Sequence, residues 1–170
     1  MPDPLKIFRD VAIGKFIDKK WTDQPHEAFK HLANSSKGDA AEEFIKIYTQ
    51  ALGFKIENRV SRLGDWDVKI EGKTFEVKCA TEDISGSFQF NHIRYDSKYD
   101  FLLCLGVTPK NLVFGIWGKG DVATGKAGTL VSMGKNQNSS FKLTKKVSSL
   151  RSIEGLKKEI LKILNSPSKR

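Results

Sequence analysis

A chain of 170 residues with 39% hydrophobic content is long enough to close one full core, and none of its apolar runs approaches the roughly 18 residues of a membrane span. Its 29 Lys and Arg outnumber its 20 Asp and Glu for a net charge of +9, which suits either solubility with a basic tail or a polyanionic partner. The excess is uneven: residues 1–36 carry +1, residues 37–144 carry +2 and residues 145–170 carry +6.

In chain order, Leu5, Phe8, Ala12, Ile13, Phe16 and Ile17 recur at helical spacing and predict a helix over residues 4–20, broken by Trp21-Thr-Asp-Gln-Pro25. Met1-Pro-Asp-Pro-Leu5 does not read as a secretory leader. Ala28, Phe29, Leu32 and Ala33 predict a second, short helix ending before Asn34-Ser-Ser-Lys-Gly38. His26 and His31 miss the i, i+4 spacing of a helical metal pair by one residue and read as surface or capping residues. A longer helix follows, with Ala41, Phe44, Ile45, Tyr48 and Leu52 on one stripe. Ser36 with Asp39 resembles a capping box at its start, and Gly53 is a C-terminal stop. At about 100° per residue, Glu42 flanks the apolar stripe while Glu43 points nearly opposite it. Phe54-Lys-Ile-Glu-Asn-Arg-Val60 then alternates as a strand.

Residues 64–81 alternate apolar with polar on both sides of Glu71-Gly72, the pattern of a β-hairpin with a two-residue loop. Ile70 then pairs with Lys73, Lys69 with Thr74, Val68 with Phe75 and Asp67 with Glu76. Val68, Phe75, Val77 and Cys79 share the core face, and Asp67, Glu76 and Lys78 share the other. Directly opposed carboxylates sit about 5 Å apart and repel, which makes sense if a cation lies between them; a solvated, salt-bridged sheet face is the plainer alternative. Two carboxylates with positions left for water and phosphate oxygens is how proteins hold Mg²⁺.

Beyond the hairpin, Phe88, Asn91, His92 and Tyr95 have helical spacing and predict a helix over about residues 87–94. Tyr99–Val107 and Asn111–Trp117 are continuous apolar runs of strand length, the first a candidate central strand. Cys79 and Cys104 lie in such runs without zinc-ligand spacing, and read as buried free thiols of a reducing, cytoplasmic protein. Residues 118–129 are rich in Gly, Lys and Thr but do not spell a phosphate-binding P-loop. Leu130-Val131 and Phe141-Lys-Leu143 flank a polar loop carrying Lys135, Asn136, Gln137 and Asn138. Asn and Gln read adenine edges and Lys meets phosphate, although an ordinary polar loop has the same composition. Ile153, Leu156, Ile160, Leu161 and Leu164 outline a C-terminal amphipathic helix with Lys157, Lys158 and Lys162 outside.

Asp67 followed by Glu76-Val77-Lys78 on a hairpin, preceded by a helix opening Lys37-Gly38 and carrying Glu42, resembles the PD-(D/E)XK nuclease superfamily, which includes archaeal Holliday-junction resolvases and many restriction enzymes. The resemblance spans about residues 36–105. Trp66 stands where the family has proline, and Asp65 rivals Asp67, which the pairing with Glu76 favours. The resemblance implies an α/β fold: a restriction-endonuclease-like mixed β-sheet flanked by helices, with an N-terminal helical extension. One domain would cover the chain, with residues 1–35 as the extension, 36–117 as the catalytic core and 118–170 as a basic loop and C-terminal helix.

It further implies a metal-dependent DNA endonuclease, using Mg²⁺ or Mn²⁺ in its place. Asp67, Glu76 and the Val77 carbonyl would hold the ion. Lys78 would orient water or neutralise phosphate charge, and Glu42 would support the site. Gln89, Asn91, His92 and Arg94, in a segment resembling ones in restriction-type nucleases, would approach the duplex. The expected activity is that of a sequence-specific type II restriction endonuclease, acting on double-stranded DNA as a homodimer. A structure-specific repair or junction-resolving nuclease, a toxin nuclease acting on RNA, and a non-catalytic nucleic-acid-binding module are the alternatives.

Overall fold

The computed structural model describes residues 2–15, 18–58, 65–94, 96–134 and 140–166. Phe16, Ile17, Tyr95, Lys135, Asn136, Gln137 and Asn138 lie outside these, and so do the expectations placed on them. Among the described residues no helix is long and apolar enough to cross a membrane.

The N-terminal helix, α1 (Pro4–Lys15), is shorter than expected, and Leu5 is 80% and Phe8 74% exposed. A separate 3₁₀ turn, Lys19–Trp21, follows Asp18, whose carboxylate accepts from the Lys20 N–H. Trp21, expected as a helix breaker, is the buried anchor of this region. After α2 (Glu27–Lys30) comes α3 (Asn34–Ala51), which begins ahead of the expected Ser36 cap. Ala33 is the N-cap and makes no side-chain bond. Ser35 and Ser36 occupy the first turn, where backbone N–H groups lack intrahelical partners in any case.

Two sheets form around these helices. The larger has six strands in the order β1 (Ile56–Asn58), β2 (Val68–Ile70), β3 (Lys73–Thr81), β5 (Phe101–Val107), β6 (Leu112–Gly118) and β9 (Arg151–Ser152). Only β3 and β5 run parallel, so the sheet is mixed. The smaller has three antiparallel strands in the order β4 (Ser87–Ile93), β8 (Phe141–Lys146) and β7 (Leu130–Ser132). The helices α4 (Lys119–Ala123) and α5 (Leu156–Asn165) complete the fold. It is a mixed α/β architecture, its six-stranded sheet flanked by helices.

The β2–β3 hairpin forms in the expected register: Ile70 opposite Lys73, Lys69 opposite Thr74, Val68 opposite Phe75. Glu71 (φ 47°) and Gly72 (φ 79°) both take positive φ, as a tight turn matched to strand twist requires. Glu71 tolerates this because its N–H donates to the Lys55 carbonyl at 3.0 Å and its carboxylate accepts from the Lys55 N–H at 2.7 Å.

Each face of the larger sheet has its own core. Ala41 and Ile45 of α3 and Leu156 and Ile160 of α5 pack on Val68, Ile70, Phe75, Val77, Leu103 and Leu105. Lys157, Lys158 and Lys162 stay outside as expected, but so does Leu161. On the opposite face, Phe88, Phe90, Ile93 and Leu143 of the smaller sheet pack on Leu102, Cys104 and Val113. The fit there is close: a Cβ on Gly106 would lie 2.7 Å from the Phe88 ring and 2.9 Å from Val113.

Residues 87–93 are therefore a strand and not the expected helix. Phe88 and Phe90 alternate inward and Gln89 outward, but the ladder to β8 shifts register between Phe90 and Ile93. His92 takes a φ of 58° at this bulge. The extra residue turns the two-residue spacing of buried side chains into three between Phe90 and Ile93, so the segment does not alternate as a plain strand would.

Candidate functional site

The site begins where β2 ends. Phe75 of β3 has β2 on one side and β5 on the other, but from Glu76 onward no described strand pairs on the β2 side. Asp67 lies just outside the ladder and does not stand across it from Glu76 as the pairing predicted. Its N–H donates to the Phe75 carbonyl at 2.9 Å, and its carboxylate turns along the strand to accept the Val77 N–H at 2.8 Å. Asp67 is only 6% exposed. A buried carboxylate needs donors, and the end of the β2 ladder leaves the Val77 N–H able to supply one.

Glu76 and Lys78 alternate with Val77 and so share the face opposite it, as expected; that face carries the smaller sheet, and the two form an ion pair there. Their neighbours on β5 are Leu102 and Cys104, so this pair interrupts an otherwise apolar face. Tyr99 is buried nearby, and its hydroxyl pKa is raised by lost hydration and then by the Glu76 charge.

A cleft of about 470 Å³ opens beside this edge. Its walls are Asn34, Lys37, Gly38 and Glu42 of α3, residues 77–81 of β3, and Gln89, Asn91 and His92 of β4, with Lys30 and Asp83 at the rim. Glu42 thus faces the cleft while Glu43 is exposed elsewhere, as the helical geometry requires. Of the expected substrate-facing residues, Gln89, Asn91 and His92 reach the cleft. His92 Nδ1 lies 3.1 Å from the Ser140 hydroxyl. Arg94 instead pairs with Asp96 at 3.0 Å, close enough to Glu76 and Asp65 for their charges to raise its pKa after the dominant bond to Asp96. His26 and His31 take no part; His26 Nδ1 lies 2.8 Å from the Thr108 carbonyl.

Lys30 and Asn34 were not expected in the site, and Lys37-Gly38 entered only as the helix opening that carries the resemblance. The signal was present, because residues 34, 38 and 42 are spaced by four and fall on one helical face. Electrostatics bear out the crowding of charge. Lost hydration lowers the Lys30 pKa, with Asp18 opposing and Lys37 and Lys20 adding to the effect. Burial pushes the Cys79 thiol up to about 12, against a smaller pull from Lys37. Cys104, fully buried, moves the same way. Asp83 is held below the usual carboxylate range, chiefly by the Ser85 hydroxyl at 2.7 Å.

Among the described residues no three His, Cys, Asp or Glu side chains gather as metal ligands. Mg²⁺ asks for less, one or two carboxylates with waters and substrate oxygens. In a strand, N–H and C=O of one residue point to the same side, so the Val77 carbonyl faces the edge where Asp67 meets its N–H. Asp67, Glu76 and that carbonyl suit Mg²⁺ in kind and number.

No protein family and no curated protein matches the sequence. Among solved structures, the chain is similar to the bacterial homing endonuclease I-Ssp6803I, with 13% identity and a TM-score of 0.41 over 54% of this chain and 72% of that one.

Proposed function

We infer that this protein is a PD-(D/E)XK-type, metal-dependent phosphodiesterase that cuts DNA. The observation that carries the reading is that the stretch of β3 beyond β2 holds both the Asp67 carboxylate and the Glu76–Lys78 ion pair, and that Lys78 shares a cleft with Glu42. A salt-bridged surface face would need none of these half-buried, and Glu76 and Lys78 are only 14% and 21% exposed.

Asp67, Glu76 and the Val77 carbonyl would hold Mg²⁺, which supplies a lowered water pKa and neutralises phosphate charge when bound. The Lys78 ammonium donates to a non-bridging phosphate oxygen and stabilises the charge that develops there. Glu42 accepts a hydrogen bond from the attacking water across the cleft. Gln89, Asn91 and His92 contact the strand that enters. Within this class the reading is a sequence-specific type II restriction endonuclease. Duplex cutting with one site per subunit then calls for a two-fold homodimer.

The test is plasmid cleavage with Mg²⁺ by wild type and by Glu76→Ala, Lys78→Ala, Glu42→Ala and Glu43→Ala. Glu76→Ala and Lys78→Ala should each lose about 10²–10³ in rate. Glu42→Ala should be impaired, and Glu43→Ala should cut like wild type. Full activity in Lys78→Ala, or a larger defect at Glu43 than at Glu42, sinks the assignment. Discrete fragments from linear duplex support the restriction reading, and cutting confined to branched DNA replaces it with junction resolution.

A further inference from the structure

We propose that the α3 wall of the cleft is a docking subsite for a backbone phosphate of the DNA strand, held by the Lys30 and Lys37 ammonium groups over the bare backbone of Gly38. This subsite rests on the phosphodiesterase reading above and employs residues to which that reading gives no part.

Two cations from different elements converge here. Lys30 ends α2 and Lys37 is the fourth residue of α3, yet both line the one cleft, and the Lys37 charge helps to lower the Lys30 pKa. Neither has a carboxylate at ion-pair distance among the described residues. Lys30 is held in place without being neutralised. It donates to the Glu82 carbonyl at 3.0 Å and the Thr81 hydroxyl at 3.4 Å, and sits 5.0 Å above the Trp21 ring. An ammonium has three donors, so one is left for a ligand. Asp83, the acid at the same rim, is occupied by the Ser85 hydroxyl and by the backbone N–H groups of Ser85 and Ser87.

Gly38 supplies the independent observation. Glycine inside a helix is less stable than alanine, and no packing demands it here: a Cβ on Gly38 would meet nothing within 4 Å. The space a side chain would fill is cleft, between Asn34 one turn back and Glu42 one turn on. A phosphate resting there would lie about one helical pitch, ~5.4 Å, from Glu42. It is therefore a neighbour of the scissile phosphate.

The experiment is fluorescence anisotropy with a short labelled DNA duplex over a salt series in EDTA, so that binding is read without cleavage, alongside thermal melting. Lys37→Ala should weaken binding and lower the log–log salt slope by about 0.9, one phosphate contact, while Lys37→Arg keeps the wild-type slope. Gly38→Ala should raise Tm by about 2–4 °C and still bind less tightly. Gly38→Leu should lose about tenfold or more. An unchanged slope in Lys37→Ala, or wild-type affinity in Gly38→Leu, overturns the subsite. If wild type binds no duplex at all, the phosphodiesterase reading falls with it. If wild type binds and cuts while these variants bind normally, only the subsite falls.

Discussion

Residues 73–75 and residues 76–81 belong to one strand and serve opposite ends. The first stretch is paired with β2 and, at Phe75, with β5 as well, and it buries Phe75 between α3 and the sheet. Among the described strands the second is paired only with β5, and its other edge receives the Asp67 carboxylate and borders the cleft. The chemistry collects where the strand loses its partner. There, backbone groups need side-chain company, and a carboxylate near them can be buried without being wasted.

The largest expected effect breaks the paired half. Phe75→Ala removes a side chain 1% exposed and stacked on Phe101 with ring centroids 5.4 Å apart. It should cost about 3–5 kcal/mol in urea unfolding. Lys78→Ala, three residues along, should cost less, about 1–3 kcal/mol, because it leaves the half-buried Glu76 carboxylate without its cation. Equal losses would mean that the two halves are one structural unit.

Asp67 sits at the joint between them. Asp67→Ala leaves the buried Val77 N–H without this acceptor and should cost about 1–3 kcal/mol. Asp67→Asn keeps an acceptor oxygen and should recover most of that stability while still failing to cleave. Poor stability in both would make the charge itself structural.

The smallest effect is read by pH. The Cys79 thiol, pushed up to about 12 by burial, titrates near 9 when unfolded. The folded form therefore holds its proton longer, and its contribution is complete below pH 9 and is lost as pH rises from 9 toward 12. By pH 10 the loss should reach about 1 kcal/mol. Lys30, shifted down, acts in the opposite sense, so the comparison must be between wild type and Cys79→Ala. Parallel stability curves for the two above pH 9 would place the thiol in water.

The hairpin was legible because its turn and its alternation point to the same register, and Glu42 was separable from Glu43 because 100° of helix decides between them. What escaped was decided by contacts distant in sequence. The β4 bulge at His92 breaks the alternation, and only the facing β8 strand reveals the ladder. Asp67 was placed by extrapolating the ladder one pair too far, since nothing in the alternation marks where β2 stops. The apolar spacing of α1 promised burial that Leu5 and Phe8 do not receive, whereas Trp21, which looked like punctuation, is enclosed. The lysines of the α3 wall were hidden because Lys30 joins them only through the fold.

The contact between Gly106 and Phe88 acts as a gauge block. Phe88 precedes Gln89 on β4, so the height at which its ring seats on the β5 backbone sets how far the wall carrying Gln89 and Asn91 stands from Glu42. A single missing methyl group, deep between two sheets, thus fixes the aperture through which a strand must pass. The caliper of this cleft is ground in its core rather than in its loops.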